Sequence, residues 1–469
     1  MILYYKRTGR LIQTSMLYLV ILFHRMVMPR STHNRMMTQP HLLYYKVANP
    51  MKRSVFFCLC SLSVTTLFSS AYAATLTLAA PSDAQLPALE KQLAAWQKKT
   101  GHQVKIIKLS NASNDVFVQY RTWLASRNNS VDVYKFDSQW VGQLRRHLLD
   151  LSQDTTQQQQ MFPTVISAYS DQSGKLYGLP YTVGIPLLYY RKDLLDQYQQ
   201  PVPKTWTEMT RIASYIQQQE RAKGQKNLWG YVFQGAAYEG LTANALEWVA
   251  SHGGGKIVEV DGSISINNPA SIAALTLASS WVGSISPIGV VNYKEDDVRG
   301  VFQTGNAVFM RHWPAVWNLL QKESGSAVSG KVAVTRLPYE GQGQSAATMG
   351  GWGFVASKYS KQSQLAKQLV IYLGSQEAQR ISTAYSLPPT YPTLYDDPAL
   401  IRQFPLLPQL KLAARDLIAR SSAQTGQHYP EVSNEFWTAV QRVLQKRQAA
   451  PEAVEQLEQR LKRVKGRGW

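Results

Sequence analysis

Apolar positions along this chain change period again and again, and each change marks an element. Leu76 and Leu78 alternate, the period of a strand. Leu86, Leu89, Leu93 and Trp96 then recur at three and four residues, the period of one helical face. Gly101 stops that helix, and Val104 and Ile106 alternate again. A second unit repeats the order, with a helix around Val116 to Ala125 and a strand at Val131 to Phe136. Strands alternating with helices predict a mainly parallel sheet covered on both faces, with ligands taken beyond the carboxyl ends of its strands. Asp137 sits at such an end. Thr205 and Glu208 have the spacing of a capping box. Gly240 to Ala250 and Ser271 to Val282 read as helices, separated by Gly253-Gly254-Gly255. Pro451 opens a last helix with a stripe of Val454, Leu457, Leu461 and Val464. Gln157 to Gln160 reads as a polar loop.

One stretch breaks the alternation. GKLYGLPYTVGIPLLYYRKDLL, Gly174 to Leu195, runs from a glycine turn through an apolar segment, crosses Pro180 and Pro186, and resumes as Leu187-Leu188-Tyr189-Tyr190. Two buried strands split by a proline-flanked crossing fit a chain leaving one lobe and entering another. Further crossings are expected near Trp313 and Gly374. Lobe I then takes 74–182 plus 319–373, and lobe II takes 183–318 plus 374–469.

The beginning of the chain follows another logic. Residues 1–50 hold no Asp or Glu, seven Lys or Arg and six of the eleven Met, and read as an upstream, non-native extension. Met51 then opens a basic n-region with Lys52 and Arg53, an apolar run from Ser54 to Phe68, and the small-x-small site Ala71-Tyr72-Ala73. That order predicts a Sec signal peptide over 51–73, cut after Ala73, and a periplasmic mature protein. The earlier apolar run, Leu17 to Phe23, is too short to span a bilayer. Cys58 and Cys60, the only cysteines, leave with the leader. The remaining chain has neither disulfide nor thiol nucleophile, and is long enough for two domains. Nine of the fifty Lys and Arg precede Ala74, so forty-one face thirty Asp and Glu, a net charge of +11. No basic run of five or more remains, which argues against nucleic acid as a partner.

Catalytic and metal patterns are weak. His102, His147, His252, His312 and His428 never pair at helical spacing, so no metal site and no cofactor are expected. Asp296-Asp297 and Asp396-Asp397 read as solvated doublets, because adjacent residues on an element point apart. Gly325 to Lys331 has phosphate-loop spacing, but Val332 stands where Ser or Thr must hold magnesium. Aromatics carry more. Trp140, Trp313 and Trp352 lie beside Asp137, beside Arg311 and Pro314, and between Gly351 and Gly353. Sugar rings stack their C–H faces on indoles and bond their hydroxyl rims to carboxylates and Arg, so this mix points to carbohydrate.

The crossing stretch also resembles the family 1 extracellular solute-binding proteins of ABC sugar importers, nearest in pattern to the trehalose/maltose-binding branch. The resemblance is carried as well by VDVYKFDSQWVGQLRRHLLDLS (Val131 to Ser152) and WGYVFQGAAYEGLTANALEWVASHGG (Trp229 to Gly254). Three more segments follow in family order: FQTGNAVFMRHWPAVW (Phe302 to Trp317), GGWGFVASKYSK (Gly350 to Lys361) and HYPEVSNEFWTAVQRVL (His428 to Leu444). It implies an α/β, two-lobed periplasmic-binding-protein fold with a sugar cleft between lobes. It implies a monomeric receptor, not an enzyme, that delivers an α-glucoside such as trehalose or maltose to inner-membrane permease subunits. A secreted carbohydrate-active enzyme and a signalling sugar receptor are the alternatives. By family position, Asp137 bonds hydroxyls, Tyr181, Trp313 and Trp352 are aromatic walls, Gly351 is a backbone contact, and Arg420 grips from lobe II. Gln85 falls where relatives carry Glu, and Tyr238 and Glu239 lie in a matching segment. Two departures stand out: Gly184 occupies a slot where relatives carry Asp, and Ser421 follows Arg420 where Pro is common.

Overall fold

Leu76, Leu78, Ala79 and Ala80 are fully buried, so the first strand, β1 (Thr75–Pro81), lies inside a sheet. The strand β2 (Gln103–Leu109) keeps an exposed, lysine-bearing face, as an edge strand does. The structure is a computed structural model that describes residues 73–469 apart from Gln172 and Glu323. The expected extension 1–50, and all of the expected leader 51–73 except Ala73, lie outside the described residues. No described helix is long and apolar enough to cross a membrane.

The remaining strands are β3 (Val133–Asp137), β4 (Leu179–Gly184), β5 (Leu187–Arg191), β6 (Trp229–Val232), β7 (Ala307–His312), β8 (Val332–Thr335), β9 (Ala347–Thr348), β10 (Gly350–Ala356) and β11 (Leu417–Ile418). They form one sheet in the order β2-β1-β3-β10-β4, another in the order β6-β7-β5-β8, and the short pair β11-β9. In the first sheet only β10 runs against its neighbours. In the second only β5 does. The mainly parallel arrangement therefore holds with one reversed strand per sheet. Both reversed strands come directly from a crossing. A strand that enters a lobe from the cleft side starts where its neighbours end, so it runs the other way.

Local signals act where expected. Gly101 ends the helix Leu86–Thr100 at φ 76°, a conformation open to glycine. Thr205 and Glu208 close a reciprocal capping box on the helix Trp206–Ala222. The helix Glu239–Ser251 is buried on almost every side and packs with Tyr429–Leu444 in the core of the second lobe. Gln157–Gln160 is a 3-10 turn rather than an irregular loop.

The lobe boundaries differ from expectation in two places. The strand β8 pairs with β5, Leu188 opposite Thr335, so the chain revisits the second sheet inside the span 319–373. That pairing satisfies the outer edge of β5, which would otherwise leave buried backbone groups without partners. The boundary at 373/374 also moves. The helices Ser363–Leu373 and Gln376–Thr383 both pack in the core that holds the first sheet, as do Tyr391, Leu407 and Ala413. Gln379 explains the continuity: it is fully buried and bonds Pro180 O of β4 at 3.1 Å.

Candidate functional site

The carboxyl ends of β3, β4 and β7 and the first residues of β10 meet around a cleft of about 320 Å³. That volume is at the lower end of small-ligand pockets. The register places Trp352 opposite Asp137 on β3 and opposite Thr182 on β4. Trp352 lines the cleft with its ring edge-on to Trp140, 5.3 Å between centroids, and with Lys135 Nζ 4.8 Å from its own centroid. Trp313 lines the cleft from the segment leaving β7. Its ring packs against Gly184 and Gly350, where an added Cβ would approach it to 3.2 and 2.9 Å.

A charged cluster spans the lobes. Asp137, 9% exposed, accepts from Gln139 N at 3.0 Å. Arg420 Nη2 stands 3.6 Å from the Asp137 carboxylate, and Nη1 donates to Glu239 Oε1 at 2.7 Å. Glu239 also accepts from Ser433 Oγ at 2.6 Å and from the Tyr429 hydroxyl. Burial pushes the Asp137 carboxyl above the ordinary carboxylate range, while Arg420 and the Gln139 amide pull it back. Arg420 is 4% exposed, and its buried Nε has no partner among the described residues. Asp137 at the end of β3 and Arg420, held by Glu239, thus meet across the cleft in one cluster.

Gln85 and Gly351 line the cleft, as Asp137, Glu239, Trp313, Trp352 and Arg420 do. Tyr181 and Tyr238 do not. Tyr181 is fully buried with its ring 4.9 Å from Phe354, and its hydroxyl donates to Gln85 Oε1. The expected aromatic wall is therefore a support beneath Gln85. Tyr238 is similar: its hydroxyl donates to Glu295 Oε2 at 2.6 Å.

Sequence reasoning missed several lining residues. Asp83 follows β1 and holds the fully buried Lys135 Nζ at 2.9 Å. Lys294, Glu295, Asp296 and Asp297 line the mouth from the start of the helix Glu295–Gln303. The doublet Asp296-Asp297 is split by that helix. Asp297 accepts from Lys294 N at 2.9 Å, and Asp296 accepts from Asn111 Nδ2 at 3.3 Å across the cleft. The acidic run Glu295 to Asp297 just before the apolar Val298 and Phe302 was the available signal for a helix start. His312 also lines the cleft, accepting from Trp313 N at 2.9 Å and bonding Glu295 O at 3.0 Å. Burial pushes its pKa down to about 4, so the ring is neutral at pH 7 and Nε2 carries its proton. Among the described residues no cluster of three His, Cys, Asp or Glu has metal-binding geometry.

Residues 91–408 match the family described as bacterial extracellular solute-binding protein. A protein of Deinococcus radiodurans named "Probable ABC transporter-binding protein" is 40% identical over 406 residues, 86% of this chain and 96% of that one. The maltodextrin-binding protein MdxE of Bacillus subtilis is 28% identical over 236 residues, 48% of this chain and 52% of its own length. The solved structure of maltose-bound T. maritima MalE3 is 30% identical with a TM-score of 0.78, covering 84% of this chain and 100% of that one.

Proposed function

The chain belongs to the bacterial extracellular solute-binding proteins, and from that premise we propose that it captures an α-glucoside of the maltose or trehalose kind. It is an exported sugar-binding receptor that serves an ABC importer. One observation carries the sugar reading: two indoles, Trp313 and Trp352, share a single cleft with the Asp137–Arg420–Glu239 cluster. Indole faces suit the C–H faces of pyranose rings, and the charged cluster suits their hydroxyls.

The mechanism is closure. A sugar that contacts both lobes binds the closed form better than the open one, and that difference shifts the population. The closed form is what the permease subunits recognise, and ATP hydrolysis belongs to the importer, not to the receptor. The receptor acts as a monomer without nucleic acid, and its mature form begins at Ala74. A thermal-shift series with trehalose, maltose and maltotriose tests the reading, since a ligand that binds only the native state raises Tm. At least one of these sugars should raise Tm without release of glucose. No shift with any of them sinks the sugar assignment, and released glucose sinks the receptor role in favour of an enzyme.

A further inference from the structure

Behind the cleft lies an ion pair that does not line it. Arg311 and Glu247 are both fully buried. Arg311 Nε donates to Glu247 Oε2 at 2.9 Å, Nη2 donates to Oε1, and Nη1 donates to Gln234 Oε1 at 3.2 Å. The guanidinium carbon lies over the Trp313 ring, 4.1 Å from its centroid. Glu247 Oε1 accepts a further bond from Thr348 N at 3.3 Å. Thr348 ends β9, two residues before β10 begins and four before Trp352. One carboxylate therefore holds the cation beneath one indole and the backbone that leads to the other.

A buried ion pair is weak evidence for stability, because desolvation of both charges offsets their attraction. A fixed geometry is what such a pair supplies here. The guanidinium is a rigid plane that stacks on an aromatic face while its fork is held by a carboxylate. We propose that Arg311 and Glu247 are positioning residues that set both aromatic walls before the sugar arrives. An indole already held in place loses little rotamer freedom when a ring stacks on it, so less of the binding energy goes into ordering it. The inference rests on the reading of the cleft as a sugar site.

The test uses the mature protein labelled with 5-fluorotryptophan. The Trp313 resonance is assigned by its loss in Trp313→Phe. The double variant Arg311→Met/Glu247→Gln removes both charges while the Gln amide oxygen still accepts from Thr348 N. Arg311→Lys keeps the charge pairing but lacks the plane. The expected result in the double variant is a near-unchanged Tm and a broadened or split Trp313 resonance in the absence of sugar. Its calorimetric Kd for the sugar bound by wild type should rise about tenfold. Arg311→Lys should fall between. A single sharp Trp313 resonance with unchanged Kd in both variants overturns the proposal and leaves the pair a packing element. If the double variant does not fold, Arg311→Lys decides on the same two readouts. If wild type binds none of maltose, trehalose and maltotriose, the sugar reading fails, and the resonance of sugar-free protein still judges the positioning role.

Discussion

Trp352 and Tyr181 show how much one residue's role depends on which way its ring turns. Trp352 is braced by the edge of Trp140 and by Lys135 and presents its remaining surface to the cleft. Trp352→Ala should weaken sugar binding by about 2–4 kcal/mol, on the order of a hundredfold in Kd, with the fold retained. Calorimetry beside a thermal melt checks this, and unchanged affinity would make Trp352 a packing residue. Tyr181→Phe should behave differently. The ring keeps its place against Phe354 and only the bond to Gln85 is lost. Stability should drop by about 1 kcal/mol, and Kd should rise severalfold through a loosened Gln85. A hundredfold loss would instead make the Tyr181 hydroxyl itself a sugar contact rather than a support for Gln85. The sequence shows that an aromatic occupies position 181. It does not show that Phe354, far along the chain, takes its ring into the core.

At the scale of elements, the pairing of β4 with β10 decides what the cleft can hold. Gly184 stands opposite Gly350, and Gly351 opposite Val183. A Cβ at Gly184 would lie 3.1 Å from Gly350 Cα, and one at Gly351 would lie 2.9 Å from Thr182 O. Trp313 fills the space that a carboxylate at position 184 would need. Gly184→Asp, which restores the residue expected there from relatives, should therefore cost about 1–3 kcal/mol of stability and weaken sugar binding as well. Denaturant melts and calorimetry read both effects. A variant with unchanged stability and tighter binding would show that the strand pair has room to open. Capping, glycine stops and strand alternation were legible because they act within a few residues. The return of β8 to the second sheet was not, since it answers an unpaired edge presented by β5.

For the whole molecule, the buried His312 couples folding to pH. Burial holds its pKa at about 4 in the native state, against about 6.5 in an unfolded chain. Between those values the unfolded state binds a proton that the native state does not. Stability is therefore full above about pH 6.5, falls as pH drops towards about 4 by on the order of 3 kcal/mol, and loses nothing further from this group below that. His312→Asn should flatten this slope in urea melts at pH 7 and pH 4.5, while the contributions of His147 and His252, whose pKa values burial also lowers, remain common to both proteins. An unaltered slope would show that His312 reaches water. The cleft also carries more carboxylates than cations, with Asp83, Asp137, Glu239, Glu295, Asp296 and Asp297 facing Lys294 and Arg420. The sequence by itself determined the alternation of strands and helices, the crossing after Gly184, and the segments that bring Asp137, Trp313, Trp352 and Arg420 to one cleft. Period, capping and turn chemistry are local, and family motifs are contiguous. Only the tertiary structure decided that Tyr181 and Tyr238 face inward, that Asp83 and Glu295 join the lining, and that Arg311 lies beneath Trp313. Those outcomes depend on which distant segments meet, and that follows from packing and from the need of every buried polar group for a partner.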